Sequence, residues 1–317
     1  MPHELLVTLT RSGLEESHHL GSYCVFQDGR VARSRGDLRV PVYLRSAAKP
    51  FQAVAVVESG ALERFGITEQ ELALISASHS SSPKHAELAA SILGKAGEGP
   101  GLLRCGGHRP IDSKVAEDYV RRGVKPGRLE DNCSGKHAGM IAAAKALGED
   151  PATYAEPTHL VQRRNLENLA LFADAEIKVG VDGCAVPSFA TGLEAAARAI
   201  ARYTTPEGHP KAAAARRVTK AMLAFPEMVA GDGRFDTEAM RAAKGRLIVK
   251  SGAEGVILVG VVGGSTGIAV KIGDGADRAL HAVVAALLKD MGLLDYPQPR
   301  DVKTREGKSV GEIRVTL

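Results

Sequence analysis

The sequence predicts an α+β fold: an antiparallel sheet built from both chain termini, with packed helices and a helical lobe between. Three observations carry this reading. A β-rich run and a hairpin signal lie near the start of the chain. Helical periodicity dominates the middle. Short β-rich runs punctuated by glycine return in the last quarter. A single domain over residues 1–317 follows, its sheet lobe at about 1–45 and 245–317 and its helical part at about 46–244.

Taken in order, residues 5–10 alternate weakly and read as a strand. Residues 22–26 and 31–34 flank Asp28-Gly29, a pair suited to a type I′ hairpin turn. A helix starts near Ser46, runs to 57 and ends before Gly60. Thr68 with Glu71 forms a capping box that opens a second helix. A third covers 83–95, with proline in its first turn, and a fourth covers 136–147, stopped by Gly148. Residues 160–172, 192–203 and 211–224 are helical as well. The runs 247–249, 256–262 and 267–272 form an antiparallel meander, followed by a helix over 277–291 and a strand near 313–315. The helical middle is expected on one face of the sheet.

Composition narrows the function. The chain has 317 residues, 44% hydrophobic and 25% charged, ordinary values for a globular protein. Forty-one basic against 37 acidic residues, a formal charge of +4, no tryptophan and 4% aromatics argue against nucleic acid as a partner. No apolar run reaches transmembrane length, and the start lacks the pattern of a signal peptide, so no membrane association and a cytoplasmic place are expected. The four cysteines, Cys24, Cys105, Cys133 and Cys184, are then expected as thiols or metal ligands rather than a disulfide framework.

The chemistry starts at Ser46-Ala47-Ala48-Lys49. Residues three apart on a helix share a face, so Lys49 can serve Ser46 as its base. Far along the chain, Lys250-Ser251-Gly252 ends a strand, and K-[ST]-G on a strand completes the site of serine β-lactamases and penicillin-binding proteins. Lysine works as a base only when its amine is neutral, and two lysines near one site lower each other's pKa. A second candidate is Leu74-Ile75-Ser76-Ala77-Ser78-His79-Ser80-Ser81-Ser82, whose hydroxyls and backbone N–H groups could face a substrate oxyanion. A third is Asp131-Asn132-Cys133-Ser134-Gly135-Lys136-His137, which fails the phosphate-loop pattern. Cys133 and Cys184 could instead be thiolate ligands of zinc, with His137 an available third. Asp182, at an Asp-Gly turn beside Cys184, suits a cationic group.

These segments, with Arg104-Cys105-Gly106-Gly107-His108 and Pro226-Glu227-Met228-Val229-Ala230-Gly231, together resemble the class 3 L-asparaginases, the asparaginase II-like, thermolabile type. They run in family order over most of the chain. The resemblance implies a serine β-lactamase/glutaminase-like fold and hydrolysis of L-asparagine to L-aspartate and ammonia. It implies two Ser–Lys tandems, Ser46 with Lys49 and Ser78 with Lys250. It implies zinc held by Cys133, Lys136 and Cys184 and assisting substrate binding. It further implies substrate contacts at Arg45, His79, Asn132 and Asp182, with Arg45 suited to the α-carboxylate and Asp182 to the ammonium, and a homodimer. A glutaminase, another amidase or β-lactam-type hydrolase on the same scaffold, and a non-catalytic zinc or amino-acid sensor are the alternatives.

Overall fold

The computed structural model describes residues 3–297 and 301–317. The main sheet draws on both ends of the chain. Its strands are β1 (Glu4–Arg11), β2 (Leu14–Gln27), β3 (Arg30–Arg35), then, past a small second sheet, β7 (Leu247–Gly252), β8 (Val256–Val261), β9 (Thr266–Ile272), β10 (Asp301–Lys303) and β11 (Ser309–Val315). The second sheet, unforeseen from the sequence, joins β4 (Val42–Tyr43), β5 (Lys178–Val181) and β6 (Pro187–Thr191) in the order β4-β6-β5.

The long strand β2 organises the main sheet, whose order is β10-β11-β1-β2-β9-β8-β7. One edge of β2 pairs first with β1 (Thr8 opposite His18) and then with β3 (Val25 opposite Arg33). Its other edge pairs with β9, Val25 facing Ile268. The expected meander β7-β8-β9 follows, with Lys250 opposite Leu258 and Val259 opposite Ile268. Asp28 and Gly29 both have positive φ, as a type I′ turn between β2 and β3 requires.

Helices cover both faces of the sheet, one of them from beyond the helical middle. Residues 256–260 of β8 are all buried, a run that needs cover on both sides. The helix Leu193–Thr204 packs on β2, β8 and β9, and the helix Asp277–Asp290 packs on β1, β9 and β11. Gly267 permits the first contact: a Cβ there would stand 2.0 Å from the Ala197 carbonyl oxygen. The helices Glu69–Ile75, Pro83–Lys95 and Ser134–Leu147 form near their expected bounds, the first with the Thr68/Glu71 capping box in place. Ser46 lies outside the α-helix expected there. Arg45–Ala48 make a tight 3₁₀ turn, and the α-helix Lys49–Glu58 begins at Lys49, with proline next. Ser113–Arg122 and Phe235–Ala243 are further helices. Among the described residues no helix is long and apolar enough to cross a membrane.

Candidate active site

Lys49 enters the interior at the first turn of its helix and is 1% exposed. Its amine donates to the Ala77 carbonyl at 2.6 Å, to Ser78 Oγ at 2.9 Å and to Cys133 Sγ at 3.2 Å. The loop carrying Ser78 is tied down on both sides. Ser78 N–H donates to Val229 O at 2.9 Å, His79 N–H to Asn132 O at 3.2 Å, and Ser80 Oγ to Ala230 O at 2.6 Å. These ties use the N–H groups of Ser78 and His79, two backbone donors of the cluster that could have faced an oxyanion.

Lys250 comes from β7, the first strand of the meander and the edge of the sheet. Its Nζ lies 3.4 Å from Asp236 Oδ2 and donates to Ser251 O at 2.8 Å. Asp236 also accepts Ser251 N–H at 2.8 Å and the Ser251 hydroxyl. Burial pushes the Lys250 amine down to about 8 against the opposing pull of Asp236, and Lys49 lowers it further. Burial works against the Asp236 carboxylate too, yet Lys250 and Ser251 outweigh it and hold its pKa below the usual range. Gly252 lets this strand meet the turn that bears Ser46: a Cβ there would stand 2.4 Å from Leu44 O.

Ser46, Ser78, Asn132, Asp236 and Ser251 line one cavity of about 420 Å³. The two serines therefore face the same space. The lysines are distributed otherwise than the expected tandems: Lys49 holds Ser78, and Lys250 holds Asp236 and Ser251 O. The 3₁₀ turn at Ser46 and the threading of residues 76–82 under Lys49 produce this arrangement.

Behind Lys49 the expected metal ligands converge. Lys136 Nζ donates to Cys184 Sγ at 3.0 Å, and Cys133 meets both Lys49 and Cys184. The hydrogen bond from Cys133 pulls Cys184 down to about 5, with help from Lys136, and the same contact pushes Cys133 up to about 12. Burial opposes the Lys136 charge, but Cys184, Cys133 and Asp182 outweigh it and raise its pKa. Two thiols and an amine suit a soft divalent cation once Cys133 and Lys136 release their protons. His137, the other candidate third ligand, turns its Nδ1 to the Tyr154 hydroxyl at 2.5 Å. Among the described residues no trio of His, Cys, Asp or Glu is placed to hold a metal without the lysine.

Arg45 and Asp182 hold each other, with Arg45 Nε 3.0 Å and Nη2 2.9 Å from Asp182 Oδ1. Arg45 has φ +49°, a strained value for a side chain of its size. His79 is fully buried with Nε2 2.9 Å from Ser134 Oγ, and burial keeps its imidazole neutral. Asn132 reaches the cavity and accepts from Cys133 Sγ at 3.2 Å. Asp236 and Ser251 escaped the sequence reading as site residues. Ser251 was visible inside K-S-G, whereas nothing local to Asp236 marks it.

A buried lysine holding a serine on a shared cavity, Lys49 on Ser78, is an arrangement suited to the hydrolysis of amides. More closely, a model of the L-asparaginase II family matches residues 7–315, and the chain belongs to that family. Solved structures similar to it include Mglu in its native form, 17% identical with a TM-score of 0.49, covering 87% of this chain and 65% of that one. Another is the Bacillus subtilis glutaminase YbgJ in covalent complex with 5-oxo-L-norleucine, 16% identical with a TM-score of 0.40, covering 87% of this chain and 89% of that one. No curated protein matches the chain in sequence.

Proposed function

We propose that the protein is an L-asparagine amidohydrolase, releasing L-aspartate and ammonia. The observation that carries this reading is the 2.9 Å contact between Lys49 Nζ and Ser78 Oγ in a cavity that Ser46 shares. Ser46 is the attacking hydroxyl, and its proton passes to the Ser78–Lys49 pair. The same pair returns the proton to the departing ammonia. Lys250, partly neutral near pH 8, takes a proton from the water that attacks the β-aspartyl-enzyme, and the proton goes on to Ser46 Oγ as its ester bond breaks and L-aspartate is freed. Asp182, held ionised by Lys136 and Arg45 against its burial, meets the substrate ammonium. Zinc held by Cys133, Lys136 and Cys184 would serve substrate binding. A cytoplasmic homodimer completes the reading.

The Lys49–Ser78 contact itself favours a second reading, attack by Ser78, so the test compares both serines. Ammonia release from L-asparagine, L-glutamine and nitrocefin turnover are measured for wild type, Ser46→Ala and Ser78→Ala. Release from asparagine well above glutamine, lost in Ser46→Ala, is expected. Near wild-type turnover in Ser46→Ala with none in Ser78→Ala would move the nucleophile to Ser78. A wild type that binds asparagine without releasing ammonia would be a sensor.

A further inference from the structure

Arg234 lies on the wall of the cavity that holds Ser46 and Ser78. It is the N-cap residue of the helix Phe235–Ala243, and the loop before it is built rather than slack. Gly231 has φ +124°, and a Cβ there would stand 1.8 Å from Ser80 Oγ. Gly231 N–H donates to Thr237 Oγ1 at 3.2 Å, and Arg234 N–H returns to Gly231 O at 3.2 Å. The turn that places Arg234 on the cavity wall is thus fixed. Its Nη1 is buried and has no hydrogen-bond partner among the described residues. A buried charged donor without a partner is costly, so such a group is kept where a ligand completes it.

The side chains nearby do not complete it. Asp236, two residues on, has both oxygens engaged by Ser251 and Lys250. Glu254 and Asp277 share the wall but are exposed. Arg45, to which the family likeness gives the substrate carboxylate, is already engaged by Asp182. A planar guanidinium with a free N–H is the side chain best matched to a carboxylate.

We propose that Arg234 binds the α-carboxylate of the substrate, so that the cavity selects amides bearing an anion at the end remote from the serines. The proposal rests on the amidohydrolase reading and deepens it.

The test measures kcat and KM for wild type, Arg234→Gln, Arg234→Lys and Arg45→Gln. The two substrates are L-asparagine and β-alaninamide, which keeps the amide and the ammonium and lacks the carboxylate. Arg234→Gln is expected to lose roughly 10- to 100-fold in kcat/KM on asparagine, mostly through KM, the worth of one hydrogen bond to a charged group. It should lose nothing on β-alaninamide. Arg234→Lys should recover part of the loss, and it carries the test if the glutamine variant does not fold. Equal losses on both substrates, no loss on either, or a carboxylate-dependent loss in Arg45→Gln alone would each overturn the assignment. A wild type that releases no ammonia would defeat the amidohydrolase reading separately. Calorimetric binding of succinamate against neutral succinamide would then judge Arg234. Weaker binding of the anion alone in Arg234→Gln supports it, and equal or absent binding overturns it.

Discussion

Asp236 Oδ2 stands 3.4 Å from Lys250 Nζ, and the pair is almost completely buried, at 3% and 1% side-chain exposure. Asp236 also holds Ser251 by its backbone N–H and its hydroxyl. One carboxylate therefore fixes both polar members of K-S-G. Removing one partner of such a pair leaves an uncompensated charge, at a cost of about 3–5 kcal/mol. Asp236→Asn is accordingly expected to unfold at markedly lower urea, and an unchanged midpoint would show the pair to be idle.

Lys250 accepts a proton only when neutral. Its amine sits at about 8. The neutral fraction grows with pH, so kcat/KM should rise through a midpoint near pH 8 and level above it. The negative charge of Asp236 opposes burial and raises the Lys250 pKa, whereas Lys49 and Arg234 lower it. In Asp236→Asn the midpoint should therefore move to lower pH. A flat wild-type profile would remove Lys250 from the chemistry.

Lys49→Met keeps the length and burial of the side chain and removes its amine. Loss of general acid–base catalysis is typically worth 10²–10⁴-fold, and a fall of about that size in kcat is expected. Far-ultraviolet circular dichroism should stay unchanged. A variant that folds and turns over normally would leave Ser78 without need of its neighbour.

If zinc occupies the Cys133–Lys136–Cys184 cluster and serves substrate binding as proposed, its chelation should raise KM for asparagine with kcat held. Cys184→Ser should reproduce the effect and make chelator harmless. A fall in kcat at constant KM would instead place the metal in the bond-breaking step.

The Thr68/Glu71 capping box satisfies backbone donors at the start of the helix Glu69–Ile75. Thr68→Ala is expected to cost about 1 kcal/mol in denaturant titration. Activity at low temperature should stay at the wild-type level, which separates stability from the site.

Local signals were legible. The capping box, the Asp28-Gly29 hairpin and the meander needed only neighbouring residues to be read, and the structure contains them. The first half of β2 was not, because Glu15-Glu16-Ser17-His18-His19 has no apolar alternation and is a strand through its pairing with β1. The helix Phe235–Ala243 was missed because its N-cap is arginine, with no capping hydrogen bond from the side chain. At the site, S-x-x-K and K-S-G named both lysines from local pattern. Their partners were hidden, because Ser78 reaches Lys49 and Asp236 reaches Lys250 only through tertiary packing.

The long strand β2 also sets an order of events. Its two edges are completed by β1 and β3 on one side and by β9, far downstream, on the other. Lys250 belongs to a hairpin that reaches the rest of the sheet only through β9. During synthesis the part bearing Ser46, Lys49 and Ser78 is finished long before β9 leaves the ribosome. Until that strand docks, Lys250 lacks the burial that lowers its amine. Catalytic competence therefore arrives late, as a property of chain closure between distant segments, and folding should be slow for a protein of this size.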